Sequence, residues 1–153
     1  IVRKFLVIMD NSPEILNALH YAATRAAKTG GGVEVLAIIT PQDQTHWLGV
    51  AEKMREEARE TIEESFQIYS NWMKDELKLE AELVIREGEK ATEVLNQISE
   101  DKEVGVLVLG ANNSSEGPGP LISQLVSRDG GNLPIPVTIV PGSMTKERIE
   151  AVS

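Results

Sequence analysis

Residues 104–124, VGVLVLGANNSSEGPGPLISQ, decide the fold. Val104 to Leu109 is a short run of apolar and small residues without a charge, the pattern of a strand buried on both faces in a parallel sheet. It ends on Gly110, passes a polar loop punctuated by glycine and proline, and re-enters a helical apolar pattern at Leu121. Strand, small-residue loop and helix start, in that order, form a place where backbone N–H groups can receive a phosphate.

Working outward, the same strand signature recurs. Phe5 to Met9 reads as a first buried strand closed by Asp10, and Asn11-Ser12-Pro13-Glu14 is a helix-start signal. Ser12 can cap with Pro13 at the first helical position, or Asn11 can cap with Glu14 completing a capping box. Ile15, Leu19, Ala22 and Ala26 repeat at helical spacing until Gly30-Gly31-Gly32 stops the helix. Val33 to Thr40 is a second strand. A long helix follows from about Leu48 to Leu77, its apolar stripe carrying Met54, Ala58, Ile62, Tyr69 and Met73. Glu52, Lys53, Glu56, Glu60 and Glu63 mark a solvated opposite face, and a helix of this length is expected to break or fray at its start. Ala81–Arg86 is a third strand, Ala91, Val94, Leu95 and Ile98 a short amphipathic helix, and Ile135–Val140 a fifth strand. Residues 1–143 thus read as one α/β domain, with 144–153 a polar, loosely held tail.

Alternation of five strands with four helices means a doubly wound, three-layer parallel sheet of Rossmann-like type with right-handed crossovers. Ligands in such sheets bind beyond the carboxyl ends of the strands where strand order reverses. Periodicity does not give the order. The chemistry at Asp10 and at Gly110 favours placing those two strands side by side, as in 3-2-1-4-5.

Composition narrows the classes. The chain has 153 residues, 41% apolar and 25% charged, enough for one core-forming domain. It has no cysteine, which removes disulfides, thiolate metal sites and thiol catalysis. The net charge of −9, with no cluster of Lys or Arg, argues against nucleic acid and anionic membrane as partners. No apolar run approaches the ~18 residues of a membrane span, and the first ten residues do not read as a signal peptide, so a cytoplasmic protein is expected. His20 and His46 have no partner pattern, and no metal site is expected. Trp47 and Trp72 suit core packing or partner contact equally.

FLVIMDNSPE at the start, ELVIREGEKATEVL after the long helix, the VGVLVLG strand and the closing PIPVTIVPG, in this order and spacing, resemble the universal stress protein family. The resemblance covers nearly the whole chain. It implies five parallel strands in the order 3-2-1-4-5, a role in stress response, and commonly a homodimer. In the nucleotide-binding branch, G-x-x-G, nine residues and G-[ST] follow the fourth strand. Laid on without gaps, this chain reads Gly110-Ala-Asn-Asn113, nine residues, then Ser123-Gln124, so the first glycine alone matches. This register also brings Pro136-Val137 to the family's Pro-Val before the fifth strand.

The resemblance implies ATP or AMP as ligand, with Mg²⁺ if ATP. Asp10 is similar to the family position that contacts adenine or ribose, though a strand-end carboxylate beside a helix start is favoured there in any case. Met9 and Ile39 would flank the base or belong to the core. Asn112 and Asn113 would donate to phosphates or simply form the turn. Gly117 and Gly119 restore two glycines to the loop, and Pro120 at a first helical position leaves the N–H groups of Leu121 and Ile122 facing an anion, with Ser123 adding a hydroxyl. Gly110 marks a close approach or an unusual φ with or without ligand.

Signatures of catalysis are missing: there is no G-x-x-x-x-G-K-[ST], G-x-S-x-G or H-E-x-x-H. Any hydrolase activity, such as a weak ATPase, is the last of three readings. The first is a regulatory or sensor protein binding an adenine nucleotide at the switch point. The second is a ligand-free interaction protein that dimerises through the last strand. Ile135, Val137 and Ile139 leave that strand apolar, and Pro136 suits an edge.

Overall fold

The computed structural model describes residues 3–10, 13–40, 48–111, 120–127 and 133–153. Five strands, β1 (Lys4–Met9), β2 (Gly32–Ile39), β3 (Ala81–Glu87), β4 (Val104–Ala111) and β5 (Val137–Pro141), form one parallel sheet in the order β3-β2-β1-β4-β5. The expected architecture and strand order are those observed. Helices α1 (Ile15–Thr29), α2 (Leu48–Leu77) and α5 (Lys146–Val152) cover one face, and α3 (Lys90–Glu100) and α4 (Pro120–Ser127) the other.

Strand alternation builds both cores at once. Val7, Val33, Val35 and Val108 meet Ala18, Leu19, Ala22, Ala23 and Ala26 of α1 and Met73 of α2. Leu6, Leu36, Leu107 and Leu109 meet Val94 and Ile98 of α3 and Ile122 and Leu125 of α4. The alanines of α1 let that helix lie close on the sheet, and Gly30 ends it in the left-handed region at φ 73°. The expected caps Asn11 and Ser12 lie outside the described residues; the helix starts at Ile15 after a turn at Pro13-Glu14, and the Glu14 side chain makes no capping hydrogen bond.

Two expectations need correction. The long helix is continuous over its 30 residues, roughly 45 Å, against roughly 26 Å for the eight residues of β2. It therefore outruns the sheet. Residues 52–60 are exposed except for half-buried Ala58, whereas Met73 is fully buried. The segment read as a loose tail is a packed element. Thr145 caps α5 by accepting from the Arg148 N–H at 3.2 Å, and Ile149 is buried against α1. Lys28 donates to the carbonyls of Glu150 and Ser153, at 3.3 and 3.0 Å. Ile149, half-buried Met144 and a capped turn were enough, because the outer face of α1 was there to receive them.

A charged cluster lies at the amino end of the sheet. Glu34 sits in the middle of an apolar strand and is 1% exposed. Gln97 of α3 donates to it at 3.2 Å, and Lys4 Nζ lies 3.6 Å away while also reaching Glu82, Asp101 and Glu103 at 3.1–3.2 Å. Burial, then a hydrogen bond shared with Asp101, pushes the Glu34 carboxyl up to about 7, against the opposing effects of Gln97 and Lys4. Asp101 moves the other way, held down chiefly by that same hydrogen bond from Glu34. Burial alone would lower the Lys4 ammonium, but its bonds to Glu82, Asp101 and Glu103 and the charge on Glu34 raise it above the ordinary lysine range.

The sign of the pH effect follows. Folded Glu34 holds its proton between its ordinary 4.5 and about 7 while the unfolded chain has lost it. Its contribution to stability is therefore complete below that window and falls as pH rises through it. Thermal melts from pH 5 to pH 8 are expected to show a decline in Tm that Glu34→Gln removes; an identical slope in the variant would place the titration elsewhere.

Candidate functional site at the carboxyl end of the sheet

Because β1 has β2 on one side and β4 on the other, the chain winds away in opposite directions from it, and a crevice opens above its carboxyl end. Met9 and Asp10 end β1, Gly110 and Ala111 end β4, and Pro141 and Gly142 end β5. The turn into α1 enters between these last two strands. A Cβ on Gly110 would stand 2.5 Å from the Glu14 carbonyl oxygen, and one on Gly142 would stand 2.8 Å from Glu14 Cγ and 2.9 Å from the Ala111 oxygen. Of the close approach or unusual φ expected at Gly110, the structure shows the close approach, and the protein's own backbone makes it. Asn17 ties the same turn to the β5–α5 connection, donating to the carbonyls of Pro141 at 3.1 Å and Met144 at 3.2 Å.

On the α2 side of this turn lies a cleft of about 240 Å³ lined by Met9, Asp10, Ile15, Thr61, Ile62, Ser65 and Tyr69. Four of these side chains carry oxygen, three are apolar, and none is basic. The site's one carboxylate at this cleft is Asp10, and Asp10 already takes part in an interaction within the fold. Thr61 Oγ1 donates to the Glu57 carbonyl of its own helix at 3.0 Å, so its lone pairs remain to accept from the cleft.

The structure brings Met9 and Asp10 together at the cleft, with Gly110 beside them across the Glu14 turn. Ile39 lies on the same face of the sheet, but Met9 is in register with Ala37, so Ile39 stands two residues further along β2 and does not line the cleft. Ser123 is exposed and Gln124 half-buried on α4, whose helix begins at Pro120 as expected. Asn112, Asn113, Gly117 and Gly119 lie outside the described residues, as do His46 and Trp47. Trp72 packs on the core, with His20 edge-on to it at 5.5 Å and Nε2 of that histidine 3.3 Å from Glu150. Among the described residues no cluster of His, Asp or Glu is placed to hold a metal ion. No helix described is long and apolar enough to cross a membrane.

The profile of the universal stress protein family matches residues 2–141. The chain belongs to that family. Among solved structures this universal stress protein is similar to UspA from Lactobacillus plantarum, with a TM-score of 0.77 at 15% identity over 90% of this chain and 97% of that one. It is also similar to a universal stress protein family protein of Arabidopsis thaliana with AMP bound, with a TM-score of 0.59 at 14% identity over 91% of each chain. A third, a universal stress protein in complex with cAMP, gives a TM-score of 0.56 at 17% identity over 92% of this chain and 98% of that one. No curated protein sequence matches this chain.

Sequence reasoning missed the α2 wall. Thr61, Ser65 and Tyr69 are spaced by four, which puts them on one helical stripe, but nothing in spacing alone aims that stripe at the end of β1. Glu14 was read as completing a capping box with Asn11, which lies outside the described residues; in the structure it is also the wedge between Gly110 and Gly142. Gly110→Ala is expected to lower unfolding stability by ~1–3 kcal/mol in urea, since the obstacle is backbone that must shift. An unchanged midpoint would mean that the turn yields freely.

Proposed function

We propose that this universal stress protein is a regulatory or sensor protein that holds an adenine nucleotide, ATP or AMP, at the carboxyl end of β1 and β4. The observation that carries this is the cleft beside Asp10, at the point where the chain reverses direction across the sheet. Its lining of hydroxyls, one carboxylate and apolar walls suits a base and a sugar. AMP in one related structure and cAMP in another support the same class of ligand. Phosphates would extend toward the start of α4, where Leu121 and Ile122 follow Pro120 and Ser123 offers a hydroxyl. Mg²⁺ would arrive with ATP, held by the phosphates. Catalysis is not part of this reading.

The experiment is a titration of the purified protein with AMP and with ATP·Mg²⁺ by calorimetry, alongside mass spectrometry of the denatured protein for copurified nucleotide. Binding that Asp10→Ala weakens about tenfold, the loss of a charged hydrogen bond, is the expected result. No binding at millimolar nucleotide would favour a ligand-free interaction protein.

A homodimer through β5 completes the proposal. Ile135 and Val137 pack partly against the core of their own chain, while Ile139 is 42% exposed on this edge strand. An exposed apolar edge is a pairing surface. Ile139→Lys is expected to convert a dimer to a monomer in sedimentation without loss of Tm, and an unaltered mass would move the interface elsewhere.

A further inference from the structure

We infer that α2 supplies the nucleoside-reading wall of this site: Thr61, Ser65 and Tyr69 hydrogen-bond the neutral base-and-sugar part of the ligand in the cleft over Met9 and Asp10. This rests on the nucleotide reading above and deepens it. The stripe 61-65-69-73 runs down α2 at intervals of four. Its lowest member, Met73, is fully buried and apolar, as core contact requires. Above Met73 the stripe turns to oxygen at every step, at the level where Met9, Asp10 and Ile15 face it. The Tyr69 ring packs against the core with Phe66 and Trp72, but core packing alone calls for no hydroxyl at 61, 65 or 69. The polar stretch and the cleft coincide.

The lining also sets what can enter. At about 240 Å³ the cleft is smaller than the ~300–1,000 Å³ typical of drug-sized ligands. It holds a nucleoside and leaves a phosphate chain outside. Among the described residues its lining has one carboxylate and no Lys or Arg, which opposes entry of a phosphate. Thr61 presents an acceptor, Ser65 and Tyr69 each present a donor and an acceptor, and Met9, Ile15 and Ile62 form the apolar surfaces for a ring. Recognition in the cleft is thus of the nucleoside, with the phosphates adding a separate and smaller effect.

The test is calorimetric titration of adenosine and AMP into the wild type, Thr61→Val/Ser65→Ala and Tyr69→Phe, with thermal melts to follow folding. Wild-type affinities for adenosine and AMP within about fivefold are expected, the size of a helix-end effect on one charged group. The double variant is expected to lose roughly tenfold, and Tyr69→Phe roughly threefold, for both ligands alike. Loss for AMP with none for adenosine would put the hydroxyls at the phosphate and overturn the inference. AMP binding that neither variant alters would overturn it while leaving the nucleotide reading intact. Failure of the wild type to bind either ligand would overturn both. Should the double variant melt early, Tyr69→Phe, which keeps the ring and its packing, decides the matter.

Discussion

Strand β1 has a partner on each side and a helical layer on each face, and the rest of the molecule depends on that position. Only a strand without charge from Phe5 to Met9 can occupy it, because every side chain there goes to one core or the other. With β1 central, right-handed crossovers send β2 and β3 to one side and β4 and β5 to the other. The crevice at its carboxyl end is a consequence of this winding. The turn from β1 into α1 must then pass close to the end of β4, and Gly110 supplies the missing side chain that lets the Glu14 backbone through.

The two ends of the sheet are chemically different. At the amino end, Lys4, Glu34, Glu82, Asp101 and Glu103 from four separate places in the chain share one ammonium and a buried carboxyl. Such a cluster is costly to desolvate and holds together only because its hydrogen bonds are satisfied; among the described residues no buried side-chain nitrogen or oxygen lacks a partner. At the carboxyl end the cleft lining among the described residues is uncharged apart from Asp10. The buried charge cluster and the cleft are thereby kept a strand's length apart.

Much of this was legible in the residues themselves. The apolar runs at Phe5–Met9, 33–39 and Val104–Leu109 gave the strands, and alternation with helical stripes gave the class, because burial on two faces leaves a local mark on composition. The order of strands came from chemistry at Asp10 and Gly110 together with a family resemblance. The glycine was read as a close approach or an unusual φ, and the structure shows the first; the object approaching it was not read, since Glu14 looks from sequence like any residue in a capping box.

What the sequence by itself determined is therefore the five strands, the four helices between them and the fold class. Each depends on periodicity or on residue type within a short window. Only the tertiary structure decided that Thr61, Ser65 and Tyr69 face Met9 and Asp10, that Glu34 accepts a hydrogen bond from Gln97, and that residues 146–152 pack as a helix on α1. The physical reason is the same in all three. Each contact joins residues more than 50 positions apart in the chain, and local patterning carries no record of which surfaces the sheet will bring face to face.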